Sequence, residues 1–275
     1  MLKAYKPESA LLSKFIAFFY VFDDDRPAMI NYLAFPHVNT GVSFFKNVQI
    51  TRGDHEVYLA PVENGADTFT IEILGKYTRP VFVHYLGRPE EIAIIFKPYG
   101  INQFVRKNLA ELTPNYSQEL LLEEWKFFAP VLFGGTTTTA RLQLLEEFLL
   151  KNLEEIANDP LYKALTYLED FEKDYTMDEI AALIGQQVKT FQRHFIKNMG
   201  CTPAVYRRIA RFRASVTTKL LANEVKSLTS LAYETSYYDQ SYFIREFKKL
   251  THLKPKKFFE KIALPSQYGI IWEVK

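Results

Sequence analysis

Hydrophobic and polar positions alternate with a short period in the first half of the chain. Seven apolar or alternating runs within residues 1–135 are separated by Gly, Pro, Asn or Asp at roughly ten-residue spacing, which predicts many short strands and a barrel or sandwich. Between about Asn102 and Trp125 the pattern is mixed and indicates a partly helical segment. The seven runs are SKFIAFFYVF, INYLAF, TGVSFF, HEVYLAPV, DTFTIEIL, PVFVHYL and EIAIIF.

The period then changes to that of a helix. The sequence GGTTTT at 134–139 is the clearest break, and the Asp159-Pro160 pair predicts the end of the helix that follows. The helix carries apolar residues three or four positions apart, which form one stripe. The stripe predicts either a dimerisation helix or a helix that packs back on its own β-domain, and its residues are Leu142, Leu145, Leu149, Leu153 and Ile156.

An internal repeat lies in the last hundred residues. Phe191, Arg193 and Phe195 recur 52 positions later as Phe243, Arg245 and Phe247, and Pro203 and Tyr206 recur as Pro255 and Phe258. Upstream the offset is 51, with Thr176, Ile180 and Ala181 matching Ser227, Leu231 and Ala232. One inserted residue in the turn accounts for the change of offset, so a structural unit is duplicated.

Each copy of the repeat predicts helix, turn, helix, turn and a further helix. In the first copy, Thr176 and Glu179 form a capping box, Gly185 ends the helix, and the next helix spans about Val188–Asn198. A long helix starts at Thr202-Pro203 and runs to about Ala222. In the second copy Ser227 caps LTSLAYET, SYYD makes the turn, QSYFIREFKKL forms the second helix, and Pro255 opens the third.

Composition and charge limit the function classes. Of the 275 residues, 48% are hydrophobic and 24% charged, which excludes wholesale disorder. Residues 1–159 hold 15 basic and 20 acidic side chains, whereas residues 160–275 hold 19 and 12, so the second half is the one suited to a polyanion. No membrane segment or secretion signal is predicted, and the single cysteine, Cys201, fits a reducing cytoplasm.

A short helix, a tight turn and a second helix with a cationic outer face describe a helix-turn-helix unit. Arginine offers a forked donor to guanine, glutamine can bond adenine, and lysine neutralises phosphate. Two solvated helical hairpins are the alternative interpretation, and the duplication inside a basic region favours DNA binding.

Residues 160–262 resemble the DNA-binding domain of the AraC/XylS family of bacterial transcription regulators. The second copy, YYDQSYFIREFKKLTHLKPKKFF, carries the more specific match, and DEIAALIGQQVKTFQRHFIKNMGCTPAVY matches the companion pattern. The resemblance implies two helix-turn-helix units joined by a long helix, whose second helices enter successive major-groove segments. It departs from the family at Ser236, where glycine is usual, at Gln186, where an apolar residue is usual, and at Ile244, usually small or polar.

The resemblance also implies roles for individual residues. Phe191, Phe195, Phe243 and Phe247 match core positions. The implied base contacts are Lys189, Gln192, Arg193, Asp239, Gln240, Ser241 and Arg245. The implied phosphate contacts are Arg207, Arg208, Arg211, Lys248, Lys256 and Lys257.

The first half resembles an uncharacterised β-rich domain attached to some AraC-type regulators. The segments ILGKYTRPVFVHYLG, IAIIFKPYGINQFVRKNLAELT and, more weakly, FPHVNTGVSFF carry this match, through Gly75, Arg79, Pro80, Phe96, Lys97, Pro98 and Gly100. Sensor domains of AraC-type regulators are often barrel-like β-domains of the cupin or jelly-roll kind, so the resemblance implies this architecture and no particular ligand. Its many aromatic residues either fill the core or line an apolar ligand pocket; they are Phe15, Phe18, Phe19, Tyr20, Phe22, Phe35, Phe44 and Phe45.

No motif indicates an enzyme. No two of the five histidines, His37, His55, His84, His194 and His252, lie within ten residues of each other, so a cupin metal set is not indicated. Cys201 precedes the long helix and fits a small packed side chain better than a nucleophile. Phosphate-binding glycine loops and nucleophile elbows are absent from the sequence, and no cofactor is expected.

We therefore expect two domains. Residues 1–135 form a mainly β regulatory domain of barrel or jelly-roll type, residues 136–159 a linker and dimerisation helix, residues 160–263 the all-α DNA-binding domain, and residues 264–275 a tail. The expected partners are promoter DNA, RNA polymerase, a second copy of the chain and a small-molecule effector. Two alternatives stay open: a constitutive regulator whose β-domain binds a protein, and an enzyme with a DNA-targeting module.

Overall fold

The protein is described by a computed structural model, covering residues 2–22, 29–62, 65–87, 89–156, 159–221, 227–261 and 272–274. It divides into two compact units. The first comprises residues 1–31, 39–75 and 82–156, and the second comprises residues 32–38, 76–81 and 157–275. Most of the predicted tail, residues 264–275, lies outside the described residues.

The strands of the amino-terminal half confirm the predicted β-rich class. All seven apolar runs form strands, and β1, β5 and β10 are strands that the pattern did not predict. The strands are β1 Leu2–Tyr5, β2 Ile16–Phe22, β3 Met29–Ala34, β4 Thr40–Lys46, β5 Val48–Arg52, β6 Glu56–Pro61, β7 Phe69–Leu74, β8 Val81–Leu86, β9 Glu90–Phe96 and β10 Ser117–Glu119, with β11 Trp272–Val274 near the carboxyl end.

These strands form two sheets. One has six strands in the order β1-β2-β9-β4-β7-β10, and the other has five in the order β11-β3-β8-β6-β5. β4 and β9 pair antiparallel from Thr40↔Phe96 to Lys46↔Glu90 and occupy the middle of the first sheet. Most of their side chains are buried, as expected for central strands covered on both faces.

Three helices complete the first unit: α1 Leu109–Leu112, α2 Glu123–Gly134 and α3 Thr138–Lys151. The Trp125 ring of α2 stacks on Phe44 of β4, with centroids 5.8 Å apart. Phe148 of α3 stacks on Phe128 of α2 at 4.1 Å. The Glu146 carboxylate accepts hydrogen bonds from the Glu8 and Ser9 amides at 2.7 and 3.0 Å, so α3 is fixed to the amino-terminal segment.

The second unit holds the helices of the predicted repeat. They are α4 Pro160–Glu169, α5 Met177–Leu183, α6 Val188–Met199, α7 Pro203–Leu221, α8 Leu228–Glu234, α9 Gln240–Thr251 and α10 Pro255–Lys261. α5 and α8 start 51 residues apart, α6 and α9 52 apart, and α7 and α10 52 apart, which confirms the offsets read from the sequence. Ala222, the predicted end of the long helix, lies outside the described residues.

Two short segments from the amino-terminal half also belong to the second unit. Phe35 is buried, and its ring meets Phe258 of α10 edge to face at 4.9 Å. Arg213 of α7 donates hydrogen bonds to the Phe35 and Pro36 carbonyls at 2.7 and 2.6 Å. Tyr77 donates to the Phe35 carbonyl as well, at 3.0 Å. The helical core therefore includes residues from far earlier in the chain.

Among the described helices, none combines the length and hydropathy that crossing a bilayer requires.

Candidate nucleic-acid interface

The first helix-turn-helix unit is built by α5 and α6. Thr176 and Glu179 make the predicted capping box: the Glu179 amide donates to Thr176 Oγ1 at 3.2 Å, and the Thr176 amide donates to Glu179 Oε2 at 2.7 Å. Gly185 then takes a φ of 71°, and the Gln186 amide reaches back to the Ala181 carbonyl at 2.8 Å. This hydrogen bond closes the turn that ends α5, and α6 begins directly after it.

The two faces of α6 differ as the sequence predicts. Phe191, Phe195 and Met199 are buried, and the rings of Phe191 and Phe195 lie edge to face at 5.8 Å. The predicted base contacts point away from this core, because Lys189, Gln192 and Arg193 are all exposed. The helix is therefore held by its phenylalanines while its polar face stays accessible.

The second helix-turn-helix unit repeats this geometry with α8 and α9. Ser227 Oγ accepts from the Ser230 amide at 3.0 Å, and the Tyr237 amide closes the turn on the Ala232 carbonyl at 2.9 Å. Ser236, at the position of Gly185, has a φ of 53° and so adopts the left-handed conformation that glycine favours. The departure from the family is therefore accommodated without changing the turn.

On α9 the residues Phe243, Phe247 and Leu250 are buried. The exposed face carries Ser241, Arg245 and Lys248, as well as Gln240 at the first turn. The Arg245 guanidinium lies 5.1 Å from the centre of the Tyr242 ring. The two exposed faces thus occupy equivalent positions on two copies of one framework.

Two predicted base contacts of the second helix-turn-helix unit, Asp239 and Gln240, have protein partners. The Asp239 carboxylate is the N-cap of α9 and accepts from the Tyr242 amide at 2.6 Å, so its first role is structural. The Gln240 side-chain oxygen accepts from the Thr229 hydroxyl at 3.0 Å. Ile244 is half-buried, which places it between the core and the exposed face.

The predicted phosphate contacts other than Arg208 fall into two groups. Lys248, Lys256 and Lys257 are exposed at the end of α9 and the start of α10. Arg207 and Arg211 of α7 are mostly buried instead, and both pair with Asp174, at 3.4 and 2.6 Å. Burial lowers the pKa of Arg207, partly offset by Asp174. Arg207 and Arg211 therefore already have an acidic partner in the protein, and their contact with DNA phosphate stays a prediction.

The apolar stripe predicted for residues 142–156 packs within its own domain, which is the second of the two interpretations that the sequence left open. Leu145 and Leu149 are fully buried inside the first unit, where α3 packs against α2 and the Leu12–Lys14 turn. Since α3 ends at Lys151, Leu153 and Ile156 lie beyond it, and Leu142 is half-buried. The helix packs on its own domain through Leu145 and Leu149, so these two leucines are not available for a dimer contact.

Of the eight aromatic residues singled out in the sequence, seven are buried and Phe22 is half-buried, which favours core packing; Phe35 is the one that belongs to the second unit. Sequence reasoning missed the acid beside them. Glu91 is buried and accepts hydrogen bonds from Tyr20 and Tyr85, both at 2.6 Å. Burial raises the pKa of Glu91, against the effect of these hydroxyls. The sequence offers one sign of this burial, since Glu91 lies on the same face of β9 as the buried Ala93.

The side chains weighed for chemistry do not come together. Within the described part of the chain, no group of three or more His, Cys, Asp or Glu side chains is arranged to hold a metal. Burial raises the pKa of Cys201 to about 11, which disfavours the thiolate that a nucleophile requires.

Family comparison matches each half separately. Residues 180–261 match a helix-turn-helix domain family, and residues 3–118 match a domain of unknown function, DUF6597. Comparison with curated protein sequences finds no match.

Among solved structures, the chain is similar to ToxT from Vibrio cholerae. For one crystal form the identity is 12% and the TM-score 0.48, with 86% of this chain and 97% of ToxT covered. For ToxT from strain O395 bound to (E)-4-(8-methylnaphthalen-1-yl)but-3-enoic acid, the identity is 12% and the TM-score 0.44, with 86% of this chain and 98% of ToxT covered. For ToxT from strain SCE256 bound to an unsaturated fatty acid, the identity is 11% and the TM-score 0.40, with 87% of this chain and 93% of ToxT covered.

The family match over 180–261 falls on the duplicated helices whose outer faces are cationic and exposed. The match over 3–118 falls on the β-rich half and confirms its resemblance to an uncharacterised domain. The chain therefore carries an AraC-type helix-turn-helix domain, with a DUF6597 domain on its amino-terminal side, and this combination is that of a DNA-binding transcription regulator.

Proposed function

We propose that this regulator binds promoter DNA with α6 and α9 in successive major-groove segments on one face of the duplex, about one helical turn apart. One observation carries the proposal. The two helices are equivalent members of a repeat, and each buries its phenylalanines and exposes an arginine at the same position, Arg193 and Arg245.

In this proposal the exposed faces read bases. Arg193 and Arg245 offer bidentate donors to guanine, and Gln192 and Gln240 offer a donor and an acceptor to adenine. Lys189 and Ser241 complete the two faces. Asp239 reads a base only if its carboxylate also keeps the α9 amide that it caps.

The phosphate contacts are assigned to Lys248, Lys256 and Lys257, whose side chains are exposed. Lysine neutralises phosphate without reading sequence, so these residues contribute affinity on every duplex. Arg207, Arg208 and Arg211 were predicted to share this role; they line a recess, and their partners favour the different role argued below.

We also assign the first unit a regulatory role in the cytoplasm, where the chain meets promoter DNA and RNA polymerase. It biases DNA binding through a small-molecule effector or through a protein partner. A thermal-shift screen of the full chain against apolar and cationic small molecules separates these alternatives. A specific stabilising ligand supports the effector, and cross-linking to one cellular protein with no such ligand supports the partner.

Homodimerisation belongs to the same proposal, and α2 offers a surface for it. Phe127 is 76% exposed and Val131, one turn later, is 53% exposed. If they form the seam, Phe127→Glu combined with Val131→Glu gives a monomer in sedimentation of the full chain, whereas Lys126→Glu does not. A wild-type monomer at every concentration would refute the dimer.

The decisive experiment is selection of bound sequences from random duplex DNA at two salt concentrations. Two enriched boxes about ten base pairs apart are the expected result. If no motif is enriched even at low salt, the helices do not read sequence unaided, and binding needs an effector or a partner.

A further inference from the structure

The second unit contains an open pocket of about 480 Å³ between its two helix-turn-helix units. Its floor is α7, one wall comes from the loop before α5 and the start of that helix, and the other comes from the α8–α9 turn and α9. A volume of this size is within the range of pockets that hold small molecules. The lining residues are Asp174, Met177, Ala204, Val205, Arg207, Arg208, Arg211, Tyr237, Tyr242, Glu246 and Lys249.

The pocket has excess positive charge, because four cationic side chains face two carboxylates. Asp174 pairs with Arg207 and Arg211, and Glu246 pairs with Lys249 at 2.6 Å. Arg208 makes no hydrogen bond or ion pair with any residue that the structure describes. One guanidinium is therefore available to a ligand.

Three buried donors in the pocket also lack an acceptor among the described residues: Nε of Arg208, Nε of Arg211 and the hydroxyl of Tyr237. Tyr237 is only 4% exposed. A buried donor without a partner costs free energy, so three at one place indicate an acceptor that the described part of the chain does not supply. Guanidinium groups can only donate, and the acceptor that suits them best is an anion.

We propose that this pocket binds a small anion: a carboxylate or phosphate group attached to a planar body. Arg208, Arg211 and Tyr237 hold the anionic group, and the rings of Tyr237 and Tyr242 contact the planar part. A DNA phosphate is the weaker candidate, since the side chains of Arg207 and Arg211 are 14% and 13% exposed. A duplex backbone reaches exposed lysines more easily than recessed groups.

The position of the pocket connects ligand binding with DNA binding. A ligand there contacts α7 and one wall from each helix-turn-helix unit, and so favours one spacing between α6 and α9. This consequence rests on the proposed function, whereas anion binding itself does not, because it can be measured without DNA.

The test is calorimetric titration of the full chain with phenyl phosphate, using benzylamine as a cationic ligand of similar size. We expect saturable binding of one phenyl phosphate per chain and none of benzylamine. Arg208→Gln removes a charge-assisted hydrogen bond and should weaken binding about tenfold or more. The matched control is Lys163→Gln, which removes an exposed charge on α4 and should leave binding unchanged.

Tyr237→Phe is the second variant, and it should fold normally because it removes a hydroxyl that has no hydrogen-bond partner among the residues that the structure describes. It should weaken phenyl phosphate binding with no loss of melting temperature. Absence of saturable binding up to about 10 mM, an affinity of only ~3 kcal/mol or weaker, would overturn the proposal. Equal losses in Arg208→Gln and Lys163→Gln would also overturn it.

A separate DNA-binding measurement on the same variant identifies the source of the anion. If Arg208→Gln lowers affinity for every duplex and reduces the salt dependence by about one phosphate, with phenyl phosphate absent, the pocket holds DNA backbone and the small-molecule site is refuted. If DNA binding fails in the wild type while phenyl phosphate binds, the proposed function fails and this site stands.

Discussion

At the scale of single residues, two positions show where local chemistry and tertiary environment conflict. Ser236 takes the left-handed backbone that its repeat partner Gly185 takes without strain. Glu91 carries a carboxyl group into the core of the first unit, where two tyrosine hydroxyls donate to it and none of the described residues supplies a cation as hydrogen-bond partner. Each conflict gives a measurable consequence.

Ser236→Gly should stabilise the second unit by about 1 kcal/mol, because a non-glycine residue at positive φ costs about 1–2 kcal/mol. The reciprocal change, Gly185→Ser, should destabilise it by a similar amount. A Cβ at Gly185 meets no atom within 4 Å, so backbone strain is its main cost. Calorimetric unfolding of the full chain measures both, and an unchanged or lower melting temperature for Ser236→Gly would refute the strain.

Glu91→Gln should make the stability of the first unit less dependent on pH. Burial raises the pKa of Glu91 in the folded state. Its contribution to stability is therefore complete below the unfolded pKa of about 4.3 and is lost as pH rises through the folded pKa. Relative to wild type, the variant should gain stability from pH 4 to neutrality in urea unfolding. A difference that does not change with pH would contradict this assignment.

At the scale of elements, the apolar stripe of α3 shows that periodicity finds a buried face but does not say what buries it. Leu145 and Leu149 are covered by the same chain. Leu145→Ala should cost about 2–5 kcal/mol of the first unit's stability, the usual cost of a buried cavity. Leu150→Ala, on the exposed side of α3, should change it by no more than about 0.5 kcal/mol. A stable Leu145→Ala variant that loses only self-association would instead restore the dimer interpretation.

The recognition helices give a prediction about specificity. Arg193→Ala and Arg245→Ala should each cost about 1–3 kcal/mol on the selected sequence and relax specificity at one box, because each removes a base contact. Lys256→Ala should weaken binding to all duplexes alike and lower the salt dependence by about one phosphate. Mobility shifts on selected and scrambled duplexes measure both effects. Equal losses for an arginine variant on the two duplexes would contradict base reading.

At the scale of the whole molecule, the chain order of the domains is visible in the sequence but their boundaries are not. The predicted boundary at residue 135 misses α3, which belongs to the first unit together with residues up to 156. Residues 32–38 and 76–81 belong to the second unit, although they overlap the end of β3 and the start of β8 in the β-rich half. Compact units follow packing, and packing joins segments that no local pattern connects.

The sequence by itself determined the helix-turn-helix repeat, because caps, turn residues and aromatic spacing are local signals that act within a few residues. Thr176, Gly185 and the phenylalanines of α6 and α9 were read correctly for that reason. Only the tertiary structure decided the partner of the leucine stripe, the burial of Glu91 and the pairing of Arg207 and Arg211 with Asp174. Each of these depends on which distant side chain lies opposite, and the spacing of residues along a chain carries no information about that.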